Sequence, residues 1–259
     1  MGERTQYAPG TFSWVDLTTT DQDAARAFYR ALFGWGADEM PAGEGIVYSM
    51  MTLGDAHVAA ISPQPQAQRD AGVPPTWNSY MTVASADDTA ARAAELGGTV
   101  HAEPFDVFDA GRMAVIQDPR GGWFMVWEPK RHIGAGLVNA PGALVWNELG
   151  TTDVEGSRAF YSQLLGWQIE PFEGSAQPYW SIRNDGRSNG GMMPVQPPHA
   201  PTHWTVYFGV EDLDAALARV RELGGAVHAG PIDIQMARIA VVGDPQGATF
   251  ALYDGVLEP

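Results

Sequence analysis

Residues 14–35 read WVDLTTTDQDAARAFYRALFGW, and residues 146–167 read WNELGTTDVEGSRAFYSQLLGW. When both stretches are extended to the preceding Pro-Gly, residues 9–35 align with residues 141–167 without a gap, and 14 of 27 residues are identical. Self-similarity at a constant spacing indicates an internal repeat. The chain therefore consists of two homologous halves.

The repeat continues through the rest of each half. Residues 95–106, ELGGTVHAEPFD, match residues 222–233, ELGGAVHAGPID. Between the two copies lies a glycine-containing segment that is typical of a linker. We therefore place the first domain at residues 1–131, the linker at 132–139 and the second domain at 140–259.

Each half is predicted to contain two βαβββ units. The segment TFSWVDL has the pattern of a strand, Asp21 is placed to cap a helix, and Gly34 is placed to end it. We expect Asp87 or Asp88 to cap the second helix of the half. One unit cannot bury its sheet face alone, so the units pair. The predicted fold class is α+β, with four βαβββ units paired into two barrel-like domains.

The composition excludes several classes of partner. The chain has 259 residues, a net charge of −16 and no cysteine. Such a charge repels phosphate backbones and acidic membrane surfaces, so neither nucleic acid nor a membrane is an expected partner. The first residues, MGERTQYAPG, contain no apolar signal segment. We expect a cytoplasmic location, and a monomer and a homodimer remain open.

The segments FYRALFGW, ELGG and GRMAVIQDPRGG, together with their second copies, resemble the vicinal oxygen chelate superfamily. That superfamily includes glyoxalase I, bleomycin-resistance proteins and extradiol dioxygenases. The pattern W-x-[DE]-L-x-T-x-D at the start of each half looks closest to a two-domain actinobacterial branch. Because this fold serves many reactions and also simple binders, the resemblance implies the fold more directly than the function.

In catalytic relatives, the resemblance implies a divalent metal held by His, Gln and Glu side chains from three strands. Neither half has a suitable metal ligand at any of the corresponding positions. These positions are Trp14 and Trp146, Asn78 and Thr205, and Met125 and Ala251. We therefore predict no cofactor. The alternative is a rearranged metal site that uses His203 and Glu148.

The two tryptophans among these residues have two interpretations. Trp14 and Trp146 either fill the core or offer a flat face to a planar ligand. Four further aromatic residues begin neighbouring strands and could extend the same surface. They are Trp77, Trp204, Tyr80 and Tyr207. We also predict that Asn78, Thr205 and Met125 contact the ligand.

Asp16 and Glu148 are matched carboxylates two residues beyond the Trp pair, so strand alternation turns them toward the same face. They are either structural or, with a raised pKa, candidates for general acid or base catalysis. The matched Arg112 and Arg238 could pair with these carboxylates or bind an anionic group on a ligand.

The recurring His101 and His228 indicate a shared local environment, which is structural or lines the rim of the site. His57, His132 and His199 occur once each, and we predict no role for them.

Three functions follow from these residues. The first is metal-independent binding of a planar or aromatic small molecule, such as a natural product or drug. The second is a metal-free enzyme that uses Asp16 or Glu148 in an isomerisation, cyclisation or hydroxylation. The third is a metal-dependent lyase or dioxygenase with displaced ligands.

Overall fold

The structure is a computed structural model that describes residues 2–43, 45–173, 175, 177–235 and 237–257. The first half contains β1 (Gly2–Glu3), β2 (Phe12–Thr19), α1 (Gln22–Phe33), β3 (Gly36–Pro41), β4 (Val47–Leu53), β5 (Ala56–Pro63), α2 (Gln66–Asp70), β6 (Thr76–Thr82), α3 (Ala86–Glu95), β7 (Thr99–Val107), β8 (Gly111–Gln117) and β9 (Trp123–Pro129). The second half contains β10 (Leu137–Val138), β11 (Leu144–Thr151), α4 (Val154–Leu165), β12 (Gln168–Pro171), β13 (Trp180–Asn184), β14 (Arg187–Pro194), β15 (His203–Gly209), α5 (Leu213–Glu222), β16 (Ala226–Ile234), β17 (Ala237–Gly243) and β18 (Thr249–Gly255).

Each half forms one eight-stranded sheet. The strand order is β3-β4-β5-β2-β6-β9-β8-β7 in the first sheet and β12-β13-β14-β11-β15-β18-β17-β16 in the second. Each sheet joins two βαβββ units through an antiparallel central pair, β2 with β6 or β11 with β15. The predicted α+β class and its four units are confirmed. Within the described residues the end strands of a sheet do not pair with each other, so each sheet is open and not a closed barrel.

The helix ends follow local sequence signals. Asp21 accepts a hydrogen bond from a first-turn N–H of α1, and Gly34 ends the helix in the left-handed conformation, as predicted. The prediction for α3 was wrong, because Ser85 and neither Asp87 nor Asp88 is the N-cap. The two Asp residues lie in the first turn, where the helix dipole favours negative charge. No helix in the described part of the chain is long and apolar enough to cross a membrane.

The two faces of each sheet have different environments. Side chains alternate along a strand, so Val15 and Leu17 of β2 point to one face and Trp14 and Asp16 to the other. Val15 and Leu17 lie on the face that the helices cover, together with Trp77 of β6, whose indole bonds to α1. We call this the helix face and the opposite one the inner face.

The helix faces of the two sheets pack against each other. The rings of Trp77 and Phe208 are 4.9 Å apart, and those of Phe12 and Trp204 are 5.0 Å apart. Aromatic packing of this kind stabilises the contact beyond the area that it buries. The helices also pair across the domains, α1 with α5 and α3 with α4. The two domains therefore share their hydrophobic cores.

The linker is bound to the first sheet. Ala135 N donates to Ser13 O at 2.7 Å, and Gly136 N donates to His57 O at 2.8 Å. Gly134 has a φ of +111°, and a Cβ there would lie 2.3 Å from Ser13 O, so only glycine fits. The end of the linker, β10, pairs with β1. The path of the linker across the first domain is therefore set by backbone hydrogen bonds.

Candidate functional site

On the inner face of the first sheet, a carboxylate is surrounded by aromatic residues. Asp16 Oδ1 accepts a hydrogen bond from Asn78 Nδ2 at 2.8 Å. Its Oδ2 accepts from the hydroxyls of Tyr48, at 2.9 Å, and Tyr80, at 2.8 Å. Trp14 Nε1 donates to the Tyr48 hydroxyl at 3.0 Å. Asp16 is only 4% exposed, and its three hydrogen bonds compensate for its burial.

Burial raises the pKa of Asp16 above its ordinary value, although the hydrogen bonds from Asn78, Tyr80 and Tyr48 oppose the shift. Burial and the nearby Asp16 carboxylate also raise the pKa of both tyrosines. The cluster therefore holds protons more tightly than the same groups would in water.

The second sheet carries the matching cluster. Glu148 Oε1 accepts a hydrogen bond from the Tyr207 hydroxyl at 2.8 Å. Trp146 Nε1 donates to the Tyr179 hydroxyl at 3.0 Å. Thr205 stands opposite Glu148 in the strand pair, where the first sheet has Asn78 opposite Asp16. The Tyr179 hydroxyl also lies within hydrogen-bonding range of the Glu148 carboxyl.

Burial raises the pKa of Glu148, while Tyr207, Tyr179 and the charge of His203 lower it by less. Glu148 and Trp146 nevertheless keep intermediate solvent exposure. The Glu148 carboxyl is therefore surrounded by protein and still accessible from the inner face. An accessible carboxyl group with a raised pKa is a better candidate for donating or accepting a proton than an ordinary surface carboxylate.

Most predicted site residues lie on the inner faces. They are Trp14, Asp16, Asn78, Tyr80 and Met125 in the first half and Trp146, Glu148, Thr205 and Tyr207 in the second. Trp77 and Trp204 do not extend this surface. Each donates its indole N–H to a helix tyrosine, Trp77 to Tyr29 at 2.9 Å and Trp204 to Tyr161 at 3.1 Å. Because successive residues of a strand face opposite sides, Trp77 cannot share a face with Asn78.

The predicted roles of Arg112 and Arg238 were wrong. Arg112 forms a bidentate pair with Asp87 of α3, with distances of 2.6 Å and 2.9 Å. Arg238 binds Asp214 of α5 in the same way, at 2.8 Å and 3.1 Å. Each guanidinium group connects a strand to a helix of its own half, β8 to α3 or β17 to α5, and does not contact Asp16 or Glu148.

The histidine pair lies at the sheet edges. His101 and His228 are exposed on the edge strands β7 and β16. His101 stacks on Trp123 with ring centroids 4.0 Å apart, and its Nε2 lies 3.1 Å from Gln117 Oε1. Neither histidine belongs to the carboxylate clusters.

Three residues of the inner faces had no predicted role. Tyr48 and Tyr179 occupy matched positions, 131 residues apart, between repeat segments that are offset by 132 and 127 residues. A repeat alignment with one deletion before Tyr179 would have found the pair. The third is His132, whose ring packs on Trp14 at 4.8 Å. Its position depends on the path of the linker, which the repeat does not reveal.

The inner faces do not fit the metal of catalytic relatives. The described residues contain no group of three or more His, Cys, Asp or Glu side chains that could hold a metal ion. The predicted alternative, His203 with Glu148, supplies only two side chains of these types. A catalytic site of this kind takes at least three protein ligands. No chemical step is therefore assigned to a metal here.

Comparison with known proteins agrees with this architecture. Residues 11–126 match the family model of the Glyoxalase/Bleomycin resistance protein/Dioxygenase superfamily, and residues 145–253 match the Glyoxalase-like domain. The chain belongs to the glyoxalase/bleomycin resistance protein/dioxygenase superfamily. The resemblance inferred from the repeat is confirmed for both halves.

Similar proteins of this superfamily come from actinobacteria. The chain is 45% identical to the CFP32 protein of Mycobacterium tuberculosis, provisionally named a glyoxylase, over 97% of each chain. It is 34% identical to the anthracycline biosynthesis protein DauV of a Streptomyces species, over 96% of this chain and 95% of DauV.

Solved structures share the fold at low sequence identity. The Mn(II)-bound glyoxalase of Novosphingobium aromaticivorans has a TM-score of 0.68 at 16% identity and covers 96% of this chain and 83% of its own. The 2,3-dioxygenase LapB of Pseudomonas has a TM-score of 0.66 at 14% identity, over 97% and 95% of the two chains. At such identities the likeness shows the fold alone.

Proposed function

We propose that this protein binds a planar aromatic small molecule on an inner face without a metal ion. The observation that carries the proposal is the cluster of one Trp, two Tyr and one carboxyl group in each half. Its Trp occupies a position at which the family resemblance implies a metal ligand in catalytic relatives. Trp14 with Asp16 and Trp146 with Glu148 form the two copies.

The cluster has the chemistry of a binding site for an oxygen-bearing ring system. An indole face stacks on planar rings, and a tyrosine adds apolar area with a hydrogen-bonding end. A carboxyl group such as Glu148, with its raised pKa, donates a hydrogen bond when protonated and accepts one when ionised. A keto oxygen on the ring system would accept a hydrogen bond from the protonated carboxyl, and a hydroxyl group would donate one to the ionised form.

The similar DauV protein supports this ligand class. Its name assigns it to the biosynthesis of anthracyclines, which are fused aromatic ring systems. We propose sequestration, resistance or an accessory step in biosynthesis as the role of binding. The ligand of this chain would then be a secondary metabolite or drug of comparable shape.

Isothermal titration with 2,6-dihydroxyanthraquinone tests the proposal. The double variant Trp14→Phe/Trp146→Phe should weaken binding by about tenfold or more, because the stacking surface shrinks. Trp123→Phe is the matched control, because Trp123 is an exposed tryptophan outside the clusters. Equal affinity in both variants, or no binding by the wild type across a panel of planar compounds, would contradict the proposal.

A metal-free enzyme is the second candidate. The raised pKa of Glu148 and the partial solvent exposure of its side chain favour a role as acid or base. Under this function, Glu148→Gln should abolish conversion of a bound ligand and spare its binding. Asp16→Asn, in the fully hydrogen-bonded cluster, is the comparison. Conversion that persists in Glu148→Gln would leave binding as the function.

A further inference from the structure

We infer that the chain has one small-molecule site, on the inner face of the second sheet, and that its own His132 closes the inner face of the first. The inference rests on the proposed function for the ligand. The closure itself can be measured without any ligand. The two copies of the cluster would then have different roles.

The His132 ring occupies the first inner face as a ligand ring would. It lies edge-on to Trp14 at an interplanar angle of 84°, with the ring centroids 4.8 Å apart. It also lies at 83° to Trp127, with centroids 6.0 Å apart. Both contacts have the edge-to-face geometry that aromatic rings prefer. One imidazole therefore fills the space between two indoles.

Backbone contacts hold this ring in place. Trp127 Nε1 donates to the carbonyl oxygen of His132 at 2.8 Å. Three residues further along, Ala135 is bonded to Ser13 and accepts a hydrogen bond from the Tyr7 hydroxyl at 2.7 Å. Because the chain is bonded at both points, the backbone of His132 cannot move away from the first inner face without breaking these bonds.

The imidazole acts as a neutral filler. Its Nε2 is buried and has no hydrogen-bond partner among the described residues. Burial, with a smaller contribution from His57, lowers the pKa of His132 to about 4. A neutral ring with an unpartnered nitrogen contributes shape and apolar contact in place of a polar interaction.

The burial of the two clusters differs accordingly. Trp14 is 4% exposed and belongs to a continuous hydrophobic core with Tyr80, Met125 and Trp127. Its counterpart Trp146 has intermediate exposure and belongs to neither hydrophobic core cluster of the described residues. The first inner face is packed as a core, whereas the second remains accessible.

Side-chain size differs in the same direction. Met50 and Met125 on the first inner face correspond to Ser181 and Ala251 on the second. Each replacement makes the side chain in front of the carboxyl group smaller by about two or three heavy atoms. Because protein interiors are close-packed, smaller side chains without a filler among the described residues favour access of a ligand to this face.

Hydrogen bonding completes the contrast. Asp16 uses both of its oxygens for three side-chain donors, so it offers little to a ligand. Glu148 interacts with Tyr207 and Tyr179, but Thr205 stands where Asn78 faces Asp16, and the partly exposed carboxyl remains accessible to a hydroxyl or keto group. The second site therefore suits a planar ligand that carries a polar oxygen at one edge.

Solvent exposure can be measured directly with 5-fluorotryptophan and ¹⁹F NMR. The variants Trp14→Phe and Trp146→Phe assign the two resonances by their loss. The Trp146 resonance should shift between H₂O and D₂O and broaden with a soluble nitroxide, and the Trp14 resonance should not. A Trp14 resonance as exposed as that of Trp146 in the wild type would overturn the closure.

Variants at His132 test the filler. His132→Ala should expose the Trp14 resonance, whereas His132→Phe should keep it protected, because the phenyl ring retains the shape. Imidazole at pH 8 should raise the melting temperature of His132→Ala and leave that of His132→Phe unchanged. If the Trp14 resonance of folded His132→Ala stays protected, His132 is not the filler.

The number of sites is measured by titration with 2,6-dihydroxyanthraquinone. One equivalent should bind per chain, Trp146→Phe should weaken binding about tenfold, and Trp14→Phe should change it by less than about twofold. Two equivalents, or a loss confined to Trp14→Phe, would overturn the single site. No binding at all would overturn the proposed function, while the NMR result would still decide the closure.

Discussion

The hydroxyl of Tyr161 donates a hydrogen bond to Asp118 Oδ2 in the other domain, at 2.9 Å. The repeat reproduces this contact in the opposite direction, because Tyr29 donates to Asp244 Oδ2 at 3.1 Å. Each aspartate also accepts backbone N–H bonds within its own turn. A helix of each domain is thus bonded to a turn of the other.

Tyr161→Phe should lower the free energy of unfolding by about 1–3 kcal/mol, because it leaves a buried carboxylate oxygen without its donor. Urea denaturation measures the change, and Tyr29→Phe, the matched variant, should show a loss of the same order. An unchanged unfolding midpoint in both variants would mean that these bonds do not stabilise the domain contact.

The stability of the wild type should fall in acid because of His132. The pKa of this residue is 6.5 in the unfolded state and about 4 in the fold, so only the unfolded chain binds the proton between these values. Stability should therefore be complete above pH 6.5 and decline toward pH 4, by up to about 3 kcal/mol. His132→Phe should lack this component, and identical pH profiles of the two proteins would contradict the prediction.

Glu148 should act on stability with the opposite sign. Its pKa in the folded protein is raised above 4.5, so the fold binds this proton more tightly than the unfolded chain. The stabilisation that this proton provides is fully present below pH 4.5, and it is lost as the pH rises through the raised pKa of Glu148 in the folded protein. The stability of the wild type relative to Glu148→Gln should thus decrease with rising pH. A relative stability that increases would place the pKa below 4.5.

Removal of metal should leave ligand binding unchanged. Dialysis against EDTA is expected to preserve the affinity for 2,6-dihydroxyanthraquinone, because the aromatic and carboxyl groups supply the contacts. Addition of Mn²⁺ afterwards is the control. Stoichiometric Fe, Zn, Mn or Ni in the purified protein, with binding lost on chelation, would favour the metal-dependent lyase or dioxygenase.

Arg112→Gln should not alter ligand affinity. The guanidinium group is bound to Asp87 of α3 and does not reach the inner face. The same titration checks this expectation, with Arg238→Gln as the matched variant in the second half. A marked loss of affinity in either variant would indicate that these arginines contribute to ligand binding.

The repeat predicted the fold because its signals are local. Asp21 and Gly34 mark the ends of α1 by short-range hydrogen bonding and backbone conformation, which the sequence displays directly. The face of a residue was harder to predict. Trp77 and Asn78 are adjacent in β6, so only one of them can line the inner face. The Trp77 indole lies on the helix face, where it bonds to Tyr29.

The remaining differences depend on contacts distant in sequence. Arg112 and Asp87 meet because α3 packs on its own sheet, and no short-range pattern reveals that pairing. Tyr48 was not predicted as a site residue, because it lies between two segments of the repeat that align at different offsets. The positions that the family resemblance implies for metal ligands, in contrast, could be counted from turns and caps that recur in both halves, so the residues at these positions could be named from the sequence.

The crossed contacts of Tyr29 and Tyr161 have a consequence for how the two clusters can change. Two separate copies of one gene product must present identical surfaces on both sides of a two-fold axis. Covalent connection keeps the same interface together at a high effective concentration and removes the requirement for identity. Substitutions can then adapt one half to bind a ligand, while the other half keeps a structural role.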